Sequence, residues 1–153
     1  MRRLSGVLLA GAILVLPAFS QSAFAQAAAA PQKFTMDGDL ALWSVAINAD
    51  KSADYEKILA RVKEVLSKSP APEAKQQLAG WRVMKMAKPM ADGKIIYTHV
   101  ITPVPGADYN ILQVLYTTVT DPTEQKALYD IYRGAFASNL SLASGSIVVD
   151  MAK

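Results

Sequence analysis

The sequence predicts an α+β protein built on a four-stranded antiparallel sheet with helices on one face. Segments with the two-residue alternation of strands occur at four places, and segments with helical spacing separate them. Asp92-Gly93 is a turn signal of the kind that joins two strands into a hairpin. The order of the segments is strand, helix, strand, strand, helix pair, strand, which fits a single compact domain.

The first 25 residues are predicted to be an export signal. Met1-Arg2-Arg3 is basic, residues 4–16 are mostly apolar, and Ala23-Phe24-Ala25 has the small-x-small form that signal peptidase reads. The apolar run is shorter than the ~20 residues that span a bilayer. We therefore expect cleavage after Ala25, a periplasmic or secreted protein, and no stable membrane anchor once the signal is removed.

The composition of the chain argues against several classes of function. The chain of 153 residues has a formal charge of +3, but two of its 16 Lys and Arg residues lie in the signal, so the mature charge is 14 − 13 = +1. No basic patch for nucleic acid is expected from such a balance. The chain has no cysteine, which excludes thiolate catalysis and cysteine metal sites. We expect a flexible leader over residues 26–39 and one domain over residues 40–153.

The first half of the domain begins with a strand and a long helix. Leu40–Asn48 alternates, with Trp43, Val45 and Ile47 on one face. Residues 52–69 are predicted to be a helix that Ser52 can cap. The apolar residues at helical spacing in this helix are Tyr55, Ile58, Leu59, Val62, Val65 and Leu66.

The second half supplies the other elements. A short helical turn is expected over residues 73–78, and two strands over residues 81–88 and 94–102 form the hairpin. Residues 108–119 fit a helix or a strand. Asp121-Pro-Thr-Glu124 is a well-formed helix start, with Asp as cap and Pro at the first helical position. The buried face of that helix is predicted to contain Leu128, Ile131, Tyr132, Ala135 and Phe136. A polar linker and a last strand over residues 146–151 follow.

This order is that of the ferredoxin-like βαββαβ unit, whose helices cover one face of the sheet. Ile147, Val149 and Met151 are expected to meet the helices together with the Trp43 face. The uncovered face is predicted to carry Leu42, Ala46, Asn48, Met84, Met86, Val148 and Asp150, and the alternation allows Tyr97 and His99 there as well. Such a face is too apolar to be fully wetted, so we expect a homodimer that joins two of these faces.

The element order over residues 40–151 resembles that of the dimeric α+β barrel superfamily, which includes antibiotic-biosynthesis-type monooxygenases and haem-degrading enzymes. The stretches "ADYEKILARVKEVL", "KQQLAGWRVMK", "PGADYNILQVLY" and "LYDIYRGAFASNL" resemble small exported bacterial proteins with no assigned function. In the haem-degrading members an Asn, a Trp and a His surround the porphyrin, and this resemblance points to Asn48, Trp81 and His99. The family histidine projects from a helix, whereas His99 is predicted to lie within a strand.

His99 is the only histidine, so it is the candidate base or ligand, with Tyr97 two residues before it on the same face of the strand "KIIYTHVI". The catalytic candidates are therefore His99 and Tyr97, and the ligand-binding candidates are Asn48, Trp81 and Met84. The alternative is a strand histidine that bonds a neighbour. No metal site and no cofactor is predicted, with haem as the alternative cofactor.

Three functions remain open at this point. The first is a non-catalytic binding or structural module that dimerises through its open sheet face. The second is a dimeric-barrel oxygenase, or a haem- or small-molecule-binding protein, with a pocket near His99. The third is an envelope-stress or chaperone-like partner protein.

Overall fold

The computed structural model describes residues 32–151, which form an α+β unit with one four-stranded antiparallel sheet. The strands lie in the order β2-β3-β1-β4 across the sheet. In chain order the elements are strand β1 (Leu40–Ile47), a short 3-10 turn (Ala49–Lys51), helix α1 (Ser52–Lys68), helix α2 (Pro72–Gly80), strand β2 (Trp81–Lys85), strand β3 (Ile95–Ile101), helix α3 (Ile111–Tyr116), helix α4 (Pro122–Ala135) and strand β4 (Phe136–Gly145).

The predicted export signal, its cleavage after Ala25 and most of the predicted leader lie outside the described residues. Within residues 32–151, no helix is long and apolar enough to cross a membrane. From the segment assigned to the leader, Met36 is buried and Phe34 packs against the core. The Phe34 amide donates to Asp108 Oδ1 at 3.0 Å, which ties this segment to the loop before α3.

The stretch "KIIYTHVI" forms the predicted strand, β3, which lies in the interior of the sheet. Two of its side chains, Tyr97 and His99, do not lie on the open face, where the alternation allowed them. In the register of β1 and β3, Trp43 lies opposite His99 and Val45 lies opposite Tyr97. Directly opposed residues of paired strands share a face. Tyr97 and His99 therefore lie on the helix-covered face, and their placement on the open face is wrong.

Helix α1 covers the centre of that face. Its buried residues are Tyr55, Ile58, Val62, Val65 and Leu66, which are members of the predicted apolar stripe. They meet Ala41, Trp43, Val45 and Ile47 of β1 and Tyr97 and Ile101 of β3 in one core. Ser52 does not cap the helix, because a 3-10 turn precedes it and Lys51 takes the cap position.

Each of the two helices after the hairpin begins at a residue whose side chain caps it. Asp121 Oδ1 accepts from the Glu124 amide at 2.8 Å and Pro122 opens α4, as predicted. Residues 108–119, which fitted either helix or strand, contain the short helix α3. Asn110 caps it, because its side chain accepts from the Leu112 and Gln113 amides. Ile131, expected to be buried, is 38% exposed on α4.

The predicted last strand is wrong. Strand β4 is Phe136–Gly145, and it includes residues 138–145, for which a polar linker is predicted. Phe136, predicted on the buried face of the helix, begins this strand, and the apolar residues of 146–151 lie outside the sheet. Ile147, Val149 and Met151 are 55%, 66% and 93% exposed and do not meet the helices. The cause lies at the end of α4, where Asn48 donates from its backbone to Ala135 O and from its side chain to Gly134 O. These bonds hold the end of α4 beside β1, so the chain pairs with β1 from Phe136 onwards. Several of the residues that follow are polar, which an edge strand tolerates.

Two glycines with positive φ allow a matched test of this architecture. Gly38 (φ 85°) precedes β1, and an added Cβ would lie 2.6 Å from the carbonyl oxygen of Gly145 at the end of β4. Gly93 (φ 83°) is in the hairpin turn, and a Cβ there would meet nothing within 4 Å. Only Gly38 therefore combines backbone strain with a clash.

We expect Gly93→Ala to lower the free energy of unfolding by about 1 kcal/mol, the cost of left-handed backbone for a residue with Cβ. Gly38→Ala should cost at least about twice as much, because strain and overlap with rigid backbone add. Urea unfolding of both variants and the wild type measures the difference. Equal losses would contradict the close approach of Gly38 to Gly145.

Candidate functional site

His99 is held by two hydrogen bonds that define its protonation. Trp81 Nε1 donates to His99 Nδ1 at 2.9 Å, and Tyr55 Oη lies 2.8 Å from His99 Nε2. An indole N–H is a donor only, so Nδ1 must be the unprotonated nitrogen. The proton of the neutral ring is therefore on Nε2 and is donated to the Tyr55 hydroxyl.

Burial keeps this imidazole neutral. His99 is 0% exposed, and burial lowers its pKa to about 4. A second proton would have to enter at Nδ1, where it would oppose the Trp81 indole N–H. The free lone pair that a general base or an axial ligand needs is thus already used inside the protein.

Aromatic rings enclose His99 on the helix side of the sheet. Trp43 stacks on it with ring centroids 4.5 Å apart, and Tyr55 meets it edge-on at 6.3 Å. Trp81 in turn contacts Tyr109 edge-to-face at 5.3 Å. The three rings that contact the imidazole come from β1, α1 and β2, and Trp81 extends the cluster to Tyr109 in the loop before α3, so His99 joins three elements at one point.

Tyr97 lies on the same face, where its ring meets Tyr55 edge-on at 5.0 Å, but its hydroxyl belongs to a separate polar cluster. Its hydroxyl donates to Glu56 Oε1 at 2.6 Å, and Lys85 Nζ donates to the same oxygen at 3.0 Å. The bond from Tyr97, and then that from Lys85, lowers the pKa of Glu56, while burial and the bond to Glu56 raise the pKa of Tyr97. Tyr97 thus stays protonated as a donor and links β3 to α1.

The remaining candidates are not brought together. Trp81 contacts His99, but Asn48 lies past the end of β1, where both of its hydrogen bonds hold α4. Met84 lies opposite Thr98 in the β2–β3 register and is 52% exposed on the open face. Of the three residues that the haem resemblance points to, only Trp81 and His99 are therefore in contact.

A cleft that the sequence did not predict opens on the helix side near β4. We call it the aromatic cleft; its volume is about 450 Å³, and its walls include Phe34, Trp43, Tyr129, Tyr132, Arg133 and Phe136. A second hollow of about 310 Å³ between Phe34, Trp43 and Leu142 adjoins it. The residues come from the segment before β1, from β1, from α4 and the start of α3, and from β4. Tyr132 and Phe136 are predicted to lie on the buried face of one helix, and no sequence signal indicated that a cleft opens beside them.

The opposite face of the sheet is uncovered within the described chain. Leu42, Met84 and Met86 are 41%, 52% and 42% exposed there. At its centre the hydroxyls of Ser44 and Thr98 are hydrogen-bonded at 2.9 Å, so these two polar groups satisfy each other. We refer to this surface as the open face.

Comparisons with protein-family models, with curated proteins and with solved structures gave no match. Residues 32–151 contain no group of three His, Cys, Asp or Glu side chains that could hold a metal ion. The ligand and partner chemistry therefore has to be inferred from the side chains that the fold places together.

The protonation of His99 predicts a pH dependence of stability. Burial lowers the pKa of His99 from the 6.5 of an exposed imidazole to about 4 in the folded protein, so the unfolded chain binds the proton more readily. The stabilisation is complete above pH 6.5 and is lost as the pH falls towards 4, with a slope of up to about 1.4 kcal/mol per pH unit. Urea unfolding between pH 6.5 and pH 5 isolates this group, because the chain has one histidine.

His99→Gln is the matched control, since its amide can accept from Trp81 and donate to Tyr55 without titrating. We expect this variant to fold and to lose the slope between pH 6.5 and pH 5. A variant that kept the wild-type slope would show that another group takes up the proton.

Proposed function

We propose that the protein is an exported, non-catalytic binding module with a ferredoxin-like fold, and that it forms a homodimer through its open face. The strand order β2-β3-β1-β4, with β1 and β3 in the centre and helices in both connections to the outer strands, supports the ferredoxin-like assignment. The open face is the observation that carries the proposed dimer.

The composition of the open face favours a second copy of the chain as its partner. Its side chains are apolar or small and polar, and Arg82, opposite Val100, is the one charged residue on the described β2–β3 part of it. A surface without a dominant charge can meet its own copy across a two-fold axis with little repulsion. The face presents an apolar patch of exposed Leu and Met side chains beside the Ser44–Thr98 pair, and exposed side chains of this kind are typical of an interaction surface.

The chain after β4 enlarges that patch. A hollow of about 230 Å³ is lined by Leu40, Leu42 and Ala143 of the open face together with Ile147. Four strands of about seven residues present roughly 440 Å² on one face, from a strand spacing of ~4.8 Å and a rise of ~3.3 Å. A stable interface buries ~800 Å² per partner, so residues 146–151 would contribute the remaining apolar area.

The enclosure of His99 favours binding over catalysis. A barrel-type oxygenase or haem protein centred on His99 needs an exposed imidazole nitrogen, whereas both nitrogens here are hydrogen-bonded and the residue is 0% exposed. Tyr97 donates to Glu56 and is 2% exposed. The two catalytic candidates thus support the fold, whereas the cleft and the open face are surfaces that a partner can reach.

The dimer is tested by placing a charge on the open face. We expect the wild type to be a dimer in light scattering after size-exclusion chromatography, and Met84→Lys to be a monomer, because the interface would bury an unpaired ammonium. Ile131→Lys is the control: Ile131 is 38% exposed on α4, away from the open face. It should leave the dimer intact. A monomeric wild type would contradict the proposal and favour the partner-protein alternative.

Export is tested by the mass of the chain. Protein recovered from the cell envelope or medium should begin at Gln26, because Ala23-Phe24-Ala25 matches the cleavage pattern. Intact-mass spectrometry measures this directly. Replacing Ala25 with Asp should block processing, and recovery of the uncleaved wild-type chain from the cytoplasm would contradict export.

A further inference from the structure

We propose that the aromatic cleft binds a small aromatic carboxylic acid. The inference rests on the proposed binding function and names its ligand class, but it does not depend on the dimer, because cleft and open face lie on opposite sides of the sheet. The observation behind it is that aromatic side chains form the walls while the free polar groups of the lining are hydrogen-bond donors.

The walls are rigid before any ligand arrives. Trp43 is fixed between His99, on which it stacks, and Phe34, which meets it edge-on at 5.2 Å. Tyr132 and Phe136 stack on each other at 5.5 Å between α4 and the start of β4. Ring pairs held this way lose little conformational entropy when a flat molecule enters. The volume of about 450 Å³ is at the lower end of the ~300–1,000 Å³ of ligand pockets, which suits one or two rings.

The two amides of the lining hold their oxygens towards protein donors. Asn139 Oδ1 accepts from the Trp43 indole at 2.9 Å, and Asn110 Oδ1 accepts from the amides of Leu112 and Gln113. These donors fix the orientation of both amides, since an indole or backbone N–H cannot accept. The NH₂ group of each Asn is therefore the part that has no partner among residues 32–151, and it is a donor.

Arg133 contributes a positive charge to the aromatic cleft. It lines the cleft, and its guanidinium makes no hydrogen bond and no ion pair with any residue from 32 to 151. Arg133 is the only charged residue among the described residues of the lining. Burial raises the pKa of Tyr132 to about 12, and the charge of Arg133 opposes that rise. Tyr132 therefore keeps its proton. A guanidinium beside a phenol and two NH₂ groups is suited to a ligand with anionic oxygen acceptors, and guanidinium binds carboxylate in a bidentate manner.

The experiment uses naphthalene-2-carboxylate as the probe and naphthalene-2-carboxamide as its neutral counterpart. The ¹H–¹⁵N spectrum of the mature protein separates the two indole N–H groups: that of Trp43 lies at the cleft, and that of Trp81 bonds His99 outside it. We expect the carboxylate to shift the Trp43 signal in a saturable manner and to leave the Trp81 signal in place. The carboxamide should bind at least about tenfold more weakly, the loss expected when an ionic hydrogen bond is removed.

Arg133→Gln should reduce carboxylate affinity by about tenfold or more and remove the preference over the carboxamide. Lys75→Gln, which removes one positive charge from an exposed residue of α2 away from the cleft and the open face, should leave both affinities unchanged. Equal binding of the two probes, wild-type affinity in Arg133→Gln, or no saturable shift at Trp43 would each overturn the proposal. None of these outcomes bears on the light-scattering test, so failure of the ligand class and failure of the dimer are distinguishable.

Discussion

The imidazole of His99 bonds a group that can only donate, the Trp81 indole N–H, and a group that can donate or accept, the Tyr55 hydroxyl. The centre of the protein depends on this pair of bonds. The Trp81 indole can only donate, so the ring must accept at Nδ1 and donate at Nε2 to Tyr55. One neutral tautomer satisfies both bonds, and burial makes the charged form costly. Because Trp81 opens β2 and Tyr55 lies on α1, this tautomer sets the distance between the hairpin and the helix.

This arrangement gives the two faces of the sheet different properties. On the helix side the alternating positions of β1 and β3 carry Trp43, Val45, Tyr97 and His99, whose rings and hydrogen bonds leave no free surface at the centre. On the other side the same strands carry Leu42, Ser44 and Thr98, which have no helix above them. A partner can therefore approach the open face or the margin of the helix layer, but not His99.

The sequence predicts the parts of this fold that local chemistry decides. The α1 stripe, the Asp121 cap and the Asp92-Gly93 turn each act within a few residues, and all three are found. Which face of the sheet carries His99 depends on the register between β1 and β3. This register joins segments far apart in the chain, so the two-residue alternation alone could not decide it. The last strand failed because hydrophobicity favoured "SIVVDM", while Asn48 of a distant segment fixes where the chain begins to pair. The aromatic cleft could not be predicted, since it needs the relative positions of α4, β4 and Phe34.

Strand β4 explains why a cleft exists on an otherwise filled face. Register shifts next to Val45 and Ile47 displace β4 against β1, and the helices do not extend over it: Leu140 and Leu142 are 40% and 52% exposed. Trp43 lies at this boundary, with one partner in the core, His99, and another on the edge strand, Asn139. A molecule that enters the cleft thus contacts a ring whose position the buried histidine sets. The tautomer of His99, although it is closed to ligands itself, shapes the surface on which we expect a ligand to bind.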